Sequence, residues 1–134
     1  MKPVISILLI LGCLAARAAE VIPPVPAQWF NKGTRLWLDL GSVKNLAEVI
    51  VNGKSLGIAW HDPYRVDVTP ALKPGTNKVT IKVTNAWVNR LIGDAQLGVT
   101  QKITFTTFKA YTADSPLQPS GLLGPVRILS SSEK

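Results

Sequence analysis

A chain of 134 residues has the length of one domain, and its composition narrows what that domain can do. Fifteen Lys and Arg against eight Asp and Glu give a formal charge of +7, but the cations stand singly. That dispersion reads as solvated strand faces and argues against a nucleic-acid-binding patch. One histidine and one cysteine leave Ser/His/Asp, Cys/His and His/Cys-metal chemistry almost no material.

The first segment is expected to be a leader rather than part of the fold. Lys2 supplies a positive start, Val4 to Leu14 is apolar apart from Ser6 and Gly12, and Ala16-Arg17-Ala18 is an A-x-A cleavage pattern. This is the grammar of a secretory signal peptide over residues 1–18, and the apolar run is too short to span a bilayer. Export to the periplasm or beyond follows. Ile10-Leu11-Gly12-Cys13 loosely matches a lipobox, with Leu11 an imperfect fit, so a lipid on Cys13 is the alternative. Cleavage after Ala18 removes Lys2, Arg17 and the only cysteine, so the remaining domain must be held by packing without an internal disulfide.

Residues 19–33 carry Pro23, Pro24 and Pro26 and should run extended and edge-like as a lead-in. From residue 34 to about 130 the pattern has a period of two. Leu36, Leu38 and Leu40 oppose Arg35, Trp37 and Asp39. Ala47, Val49 and Val51 form the next face, and Asn52-Gly53 should turn the chain tightly into Leu56–Trp60. Thr69-Pro70 reads as the start of a one-turn helix that stops at Lys73-Pro74-Gly75. Val79, Ile81 and Val83 then alternate with Lys78, Thr80, Lys82 and Thr84. Ile103 and Phe105 alternate with Lys102, Thr104 and Thr106, which predicts another strand, and Val126 with Ile128 could close the sheet. Residues 108–125, rich in Pro and Gly, read as a long loop. The fold class is therefore all-β, a sandwich of antiparallel sheets with one buried face each.

Chemistry has few candidates. The HExxH and CxxC spacings and the phosphate-cradling glycine loop do not occur. Asp39, Asp62, Asp94 and Asp114 could offer oxygens to calcium but lack the spacing of a known loop, so neither a cofactor nor a metal is expected. No carboxylate pair suited to glycoside cleavage stands out among eight acids. Two aromatic and polar segments remain, Trp60-His61-Asp62-Pro63-Tyr64 and Asn85-Ala86-Trp87-Val88-Asn89-Arg90, both where strands give way to loops. A flat indole beside Asn, Asp and Arg suits a sugar, whose C–H face stacks while its hydroxyls hydrogen-bond. The candidate sugar-binding residues are Trp60, His61, Tyr64, Trp87, Asn89, Arg90, Asp94 and Tyr111. The same tryptophans could equally fill core at strand ends, and Arg90 with Asp94 could be an internal ion pair pinning the loop.

The segments LWLDLGSVKNLAEVIVNGKSLG, DPYRVDVTPALKPGTNKVTIKVTNAW, VNRLIGD and YTADSPLQPSGLLGPVRI resemble the galactose-binding-like domain of glycoside hydrolase family 2. They are most similar to the accessory version attached to family 106 α-L-rhamnosidase-like enzymes. The resemblance implies a jelly-roll sandwich beside a catalytic barrel, with carbohydrate and that barrel, or a neighbouring glycosidase, as partners. It also implies a strand before VPAQWF, a place taken here by the leader, so Leu36–Leu40 should lack one neighbour. Three functions follow: a secreted, non-catalytic carbohydrate-binding or accessory module, a piece of a larger rhamnosidase-like hydrolase, or a docking sandwich that binds no sugar.

Overall fold

A computed structural model describes residues 2–7 and 17–132. The strands are β1 (Lys2–Ile7), β2 (Arg17–Val25), β3 (Thr34–Asp39), β4 (Ser42–Lys44), β5 (Leu46–Val51), β6 (Lys54–Ala59), β7 (Arg65–Asp67), β8 (Gly75–Thr84), β9 (Gly121–Gly124) and β10 (Val126–Ser132). Among the described residues a 3-10 turn, Ala27–Trp29, follows β2, and one short α-helix, α1 (Val88–Asp94), follows β8. One four-stranded sheet has the order β1-β10-β3-β7, another the order β2-β8-β5-β6, and β4 with β9 forms a two-stranded ribbon. All of these pairings are antiparallel.

The alternating residues meet between the two larger sheets. Leu36, Leu38 and Leu40 join Val66, Val126 and Ile128 from one sheet, with Ala47, Val49, Val51, Val79 and Ile81 from the other, in one buried cluster. The structure is the all-β sandwich that the period of two demands. At the first hairpin Asn52 and Gly53 take φ of 51° and 84°, the positive pair of a type I′ turn, and β5 runs back as β6.

Several expectations change. β3 does not lack a neighbour, since β10 and β7 flank it on either side. Strands do precede VPAQWF: β1 pairs with β10 and β2 with β8. Lys2–Ile7 and Arg17–Ala18 of the expected leader therefore lie in the sheets here, while most of the apolar run and Cys13 lie outside the described residues. β2 is indeed an edge, and its register against β8 shifts between Ile22 and Val25, where Pro23 and Pro24 have no N–H for the ladder.

No strand forms at residues 102–106, and Ile103 and Phe105 stand in solvent. The amides of Ile103 and Thr104, which a ladder would need, are instead spent on the carboxylate of Asp94. Within the expected 108–125 loop, Gly121–Gly124 forms β9 and pairs with β4. Gly41 passes so close to the backbone of Gly124 that a Cβ there would collide with it, which is why this ribbon carries glycine. At Thr69-Pro70 the chain makes one turn, with the amides of Ala71 and Leu72 donating to the carbonyl of Val68. The Thr69 hydroxyl does not cap that turn. It accepts instead from the Leu36 amide at 2.8 Å, tying the turn to β3.

Candidate functional site

Register places the candidate segments at one end of the sandwich. Ala59 at the end of β6 and Val83 near the end of β8 both pair with Ala47 on the intervening β5. The chain thus leaves toward Trp60 and toward Trp87 from points two strand spacings apart, roughly 10 Å. β3 ends and β7 and β10 begin at this same end, since Asp39 pairs with both Arg65 and Arg127.

Helix α1 organises this end. The Asn45 side chain accepts from the Ala86 amide at 2.8 Å and sets the helix's entry. Asn89 exchanges two 2.8 Å hydrogen bonds with the backbone of Gln118, its Nδ2 donating to the carbonyl and its Oδ1 accepting from the amide. Just past the helix, Gln96 Nε2 donates to the Ala113 carbonyl at 2.8 Å. Asp94 is buried and bound on both oxygens. Oδ1 meets Arg90 Nη2 at 2.7 Å, and Oδ2 accepts from the amides of Ile103 (3.0 Å) and Thr104 (2.7 Å) and from the Thr104 hydroxyl (2.7 Å). Burial alone would push this carboxyl up. The Thr104 hydroxyl and amide, Arg90 and the Ile103 amide outweigh it and hold the group at about 2. Asn89, Arg90 and Asp94 therefore fasten the long loop to α1.

Two hollows flank the helix. One, of about 350 Å³, is lined by Asn85, Ala86, Trp87, Asn89, Arg90, Ile103 and Ser120. Trp87 is 62% exposed there, so its indole is surface and not core. The other, of about 430 Å³, is lined by Leu91, Asp94 and Ala95, by Phe105, Phe108 and Tyr111, and by Lys102 and Lys109.

The structure thus gathers Trp87, Asn89 and Arg90 around one hollow and places Tyr111 in the other. Trp60 is 65% exposed and stands edge-on to His61, with ring centroids 4.7 Å apart. The His61 Nδ1 lies 2.8 Å from the Asp62 carbonyl and donates to it. Tyr64 packs against the core, and its carbonyl accepts from the Leu40 amide. Phe105, Phe108, Lys102 and Lys109 were not legible as site residues, because ITFT alternation reads as a strand. Their one available signal was the acid at Asp94 with no partner suggested beyond Arg90. Among the described residues no group of three or more His, Cys, Asp or Glu side chains converges as a cation site. No helix among them is long and apolar enough to cross a membrane.

The fold is an antiparallel sandwich with a short helix and two exposed indoles at one strand end. Residues 22–112 match the family described as glycosyl hydrolase 2 galactose-binding domain-like, and the chain belongs to that family. A curated protein of Formosa agariphila named "Putative beta-glucuronidase" is 39% identical over 127 residues, covering 78% of this chain and 11% of that protein. The solved rhamnosidase from Novosphingobium sp. PP1Y is 50% identical with a TM-score of 0.77, over 84% of this chain and 10% of that one. An uncultured Clostridium sp. beta-glucuronidase matches at 28% identity and a TM-score of 0.52, over 87% of this chain and 19% of that one. The chain spans about a tenth of the length of the first two relatives.

Proposed function

We propose that this chain is an exported, non-catalytic accessory module of a glycoside hydrolase, and that it contacts carbohydrate at the Trp87 hollow. One observation carries the sugar reading: an exposed indole beside Asn85, Arg90 and Ser120 in a hollow of about 350 Å³. An aromatic face with polar groups at its rim answers both surfaces of a pyranose ring. Trp60 and His61, leaving the same end of the sheet, extend the stacking surface. Catalysis is assigned elsewhere because no acid lines this hollow, and Asp94, which pairs with its Arg90, has both oxygens bound by the chain's own groups. A piece of a larger rhamnosidase-like hydrolase would keep the same site, so the two readings share one test. Export rests on Lys2, the apolar run and the A-x-A pattern at Ala16 and Ala18.

The test is affinity electrophoresis on plant and bacterial polysaccharides with the natural chain and with Trp87→Ala and Trp60→Ala, each also melted thermally. Retardation that Trp87→Ala abolishes at an unchanged melting temperature is the expected result. Loss of one stacking indole should weaken binding about tenfold to a hundredfold, from roughly 1–3 kcal/mol of stacking. Migration unaffected by any polysaccharide refutes the sugar reading.

A further inference from the structure

The hollow beyond Asp94 is not used by the site at Trp87. Its volume, about 430 Å³, falls within the roughly 300–1,000 Å³ of small-ligand sites. Phe105 and Phe108 line it while 88% and 78% exposed, and Tyr111 supplies a third ring. Exposed rings on a loose tail would be ordinary surface. This segment is fastened instead. Asp94 accepts from the amides of Ile103 and Thr104 at one end, and Gln96 donates to the Ala113 carbonyl at the other. The rings are thus held ready, which lowers the ordering cost of binding. Lys102 and Lys109 line the same hollow, and among the described residues neither has an acid partner. The one acid in the lining, Asp94, has Oδ1 on Arg90 and Oδ2 on three donors of the loop, so it leaves those ammonium groups unanswered. Flat rings with a surplus of positive charge suit a ligand that joins an apolar face to an anion.

We infer that this hollow is a second subsite, selective for an anionic sugar unit, with the ring on Phe105 and Phe108 and its carboxylate or sulfate on Lys102 and Lys109. The inference rests on the carbohydrate reading of the Trp87 hollow and extends it by naming the charge of the polymer. The two hollows adjoin. Arg90 lines one and Asp94 the other, with 2.7 Å between their paired atoms, and the neighbours Ile103 and Thr104 are divided between them in the same way. A polysaccharide repeats its units, so one polymer lying across the Arg90–Asp94 pair engages both hollows, and the second contact is made at high effective concentration. A lone small anion gains nothing from that adjacency.

The experiment measures binding of the natural chain to two matched pairs of polymers, polygalacturonate against its methyl ester and dextran sulfate against dextran. Phe105→Ser/Phe108→Ser, Lys102→Gln/Lys109→Gln and Lys54→Gln/Lys78→Gln are compared with it, each also melted thermally. The last of these removes the same charge at the Asn52–Gly53 end of the sandwich, away from both hollows. The natural chain is expected to prefer at least one charged polymer over its neutral counterpart, and the pair that shows the preference tells carboxylate from sulfate. Lys102→Gln/Lys109→Gln should weaken binding of that polymer about tenfold or more, the worth of a hydrogen bond to a charged group. The serine pair should weaken it about tenfold to a hundredfold at an unchanged melting temperature, since the rings are already in solvent. Lys54→Gln/Lys78→Gln should change it little. No preference in either pair of polymers overturns the inference, as does a preference that Lys54→Gln/Lys78→Gln removes equally or that the serine pair leaves intact. Neutral polymers bound through Trp87 with no charge preference overturn it and leave the sugar reading standing, whereas retention of no polymer overturns both.

Discussion

Arg90 and Asp94 form an i,i+4 ion pair on α1, with 2.7 Å between Nη2 and Oδ1, and the second oxygen of the same carboxylate holds two backbone amides of a loop nine and ten residues away. One acid therefore couples a helix to the loop that shapes both hollows. Replacing Asp94 with Asn removes the charge that Arg90 answers and weakens the acceptor for Ile103 and Thr104. The expected outcome is a lower melting temperature and faster amide exchange at residues 101–112, read by hydrogen exchange.

The same carboxylate sets an acid limit. Its folded value, about 2, lies below the ordinary 3.8, so its contribution is complete above the unfolded value and is lost as pH falls from about 4 toward 2. Melting curves of the natural chain should decline more steeply across that window than those of Asp94→Asn. Parallel declines would show that the pair does not govern acid stability.

Leu38 is fully buried at the centre of the sandwich, between β10 and β7. Leu38→Ala should cost about 2–5 kcal/mol through lost transfer energy and the cavity left behind. Denaturant titration measures it.

Asn77 is buried, donating to the carbonyls of Lys73 and Gly75 and accepting from the Lys73 amide and from Asn52 Nδ2. Asn77→Ala should destabilise by roughly 1–3 kcal/mol for each partner left without water or a substitute. A loss of a few tenths would mean that solvent reaches the turn.

Cleavage after Ala18 would take β1 from β10 and leave β10 as a bare edge, a template for pairing with another chain. The form lacking residues 1–18 should therefore associate with concentration in sedimentation experiments, and should become monomeric when a strand is restored beside β10. A concentration-independent monomer would show that the edge is protected otherwise.

The period of two, by itself, determined the inward faces of β3, β5, β8 and β10, because a strand with one buried side must alternate. Asn52-Gly53 likewise determined its own turn, since few other pairs adopt two positive φ angles. The polar residues Asn89, Arg90 and Asp94 could be read as ligand contacts or as an internal pin. Only the tertiary structure decided for the pin, by bringing Gln118, Ile103 and Thr104 to those side chains. It also decided that ITFT is not a strand. Alternation states which residues share a side, but a strand also needs a neighbour with free backbone groups, and the amides of this segment had already been claimed by Asp94. Trp60 and Trp87 were undecided between core and surface for a similar reason: a strand end is dry or wet according to what the rest of the chain lays over it, and here nothing among the described residues covers either indole.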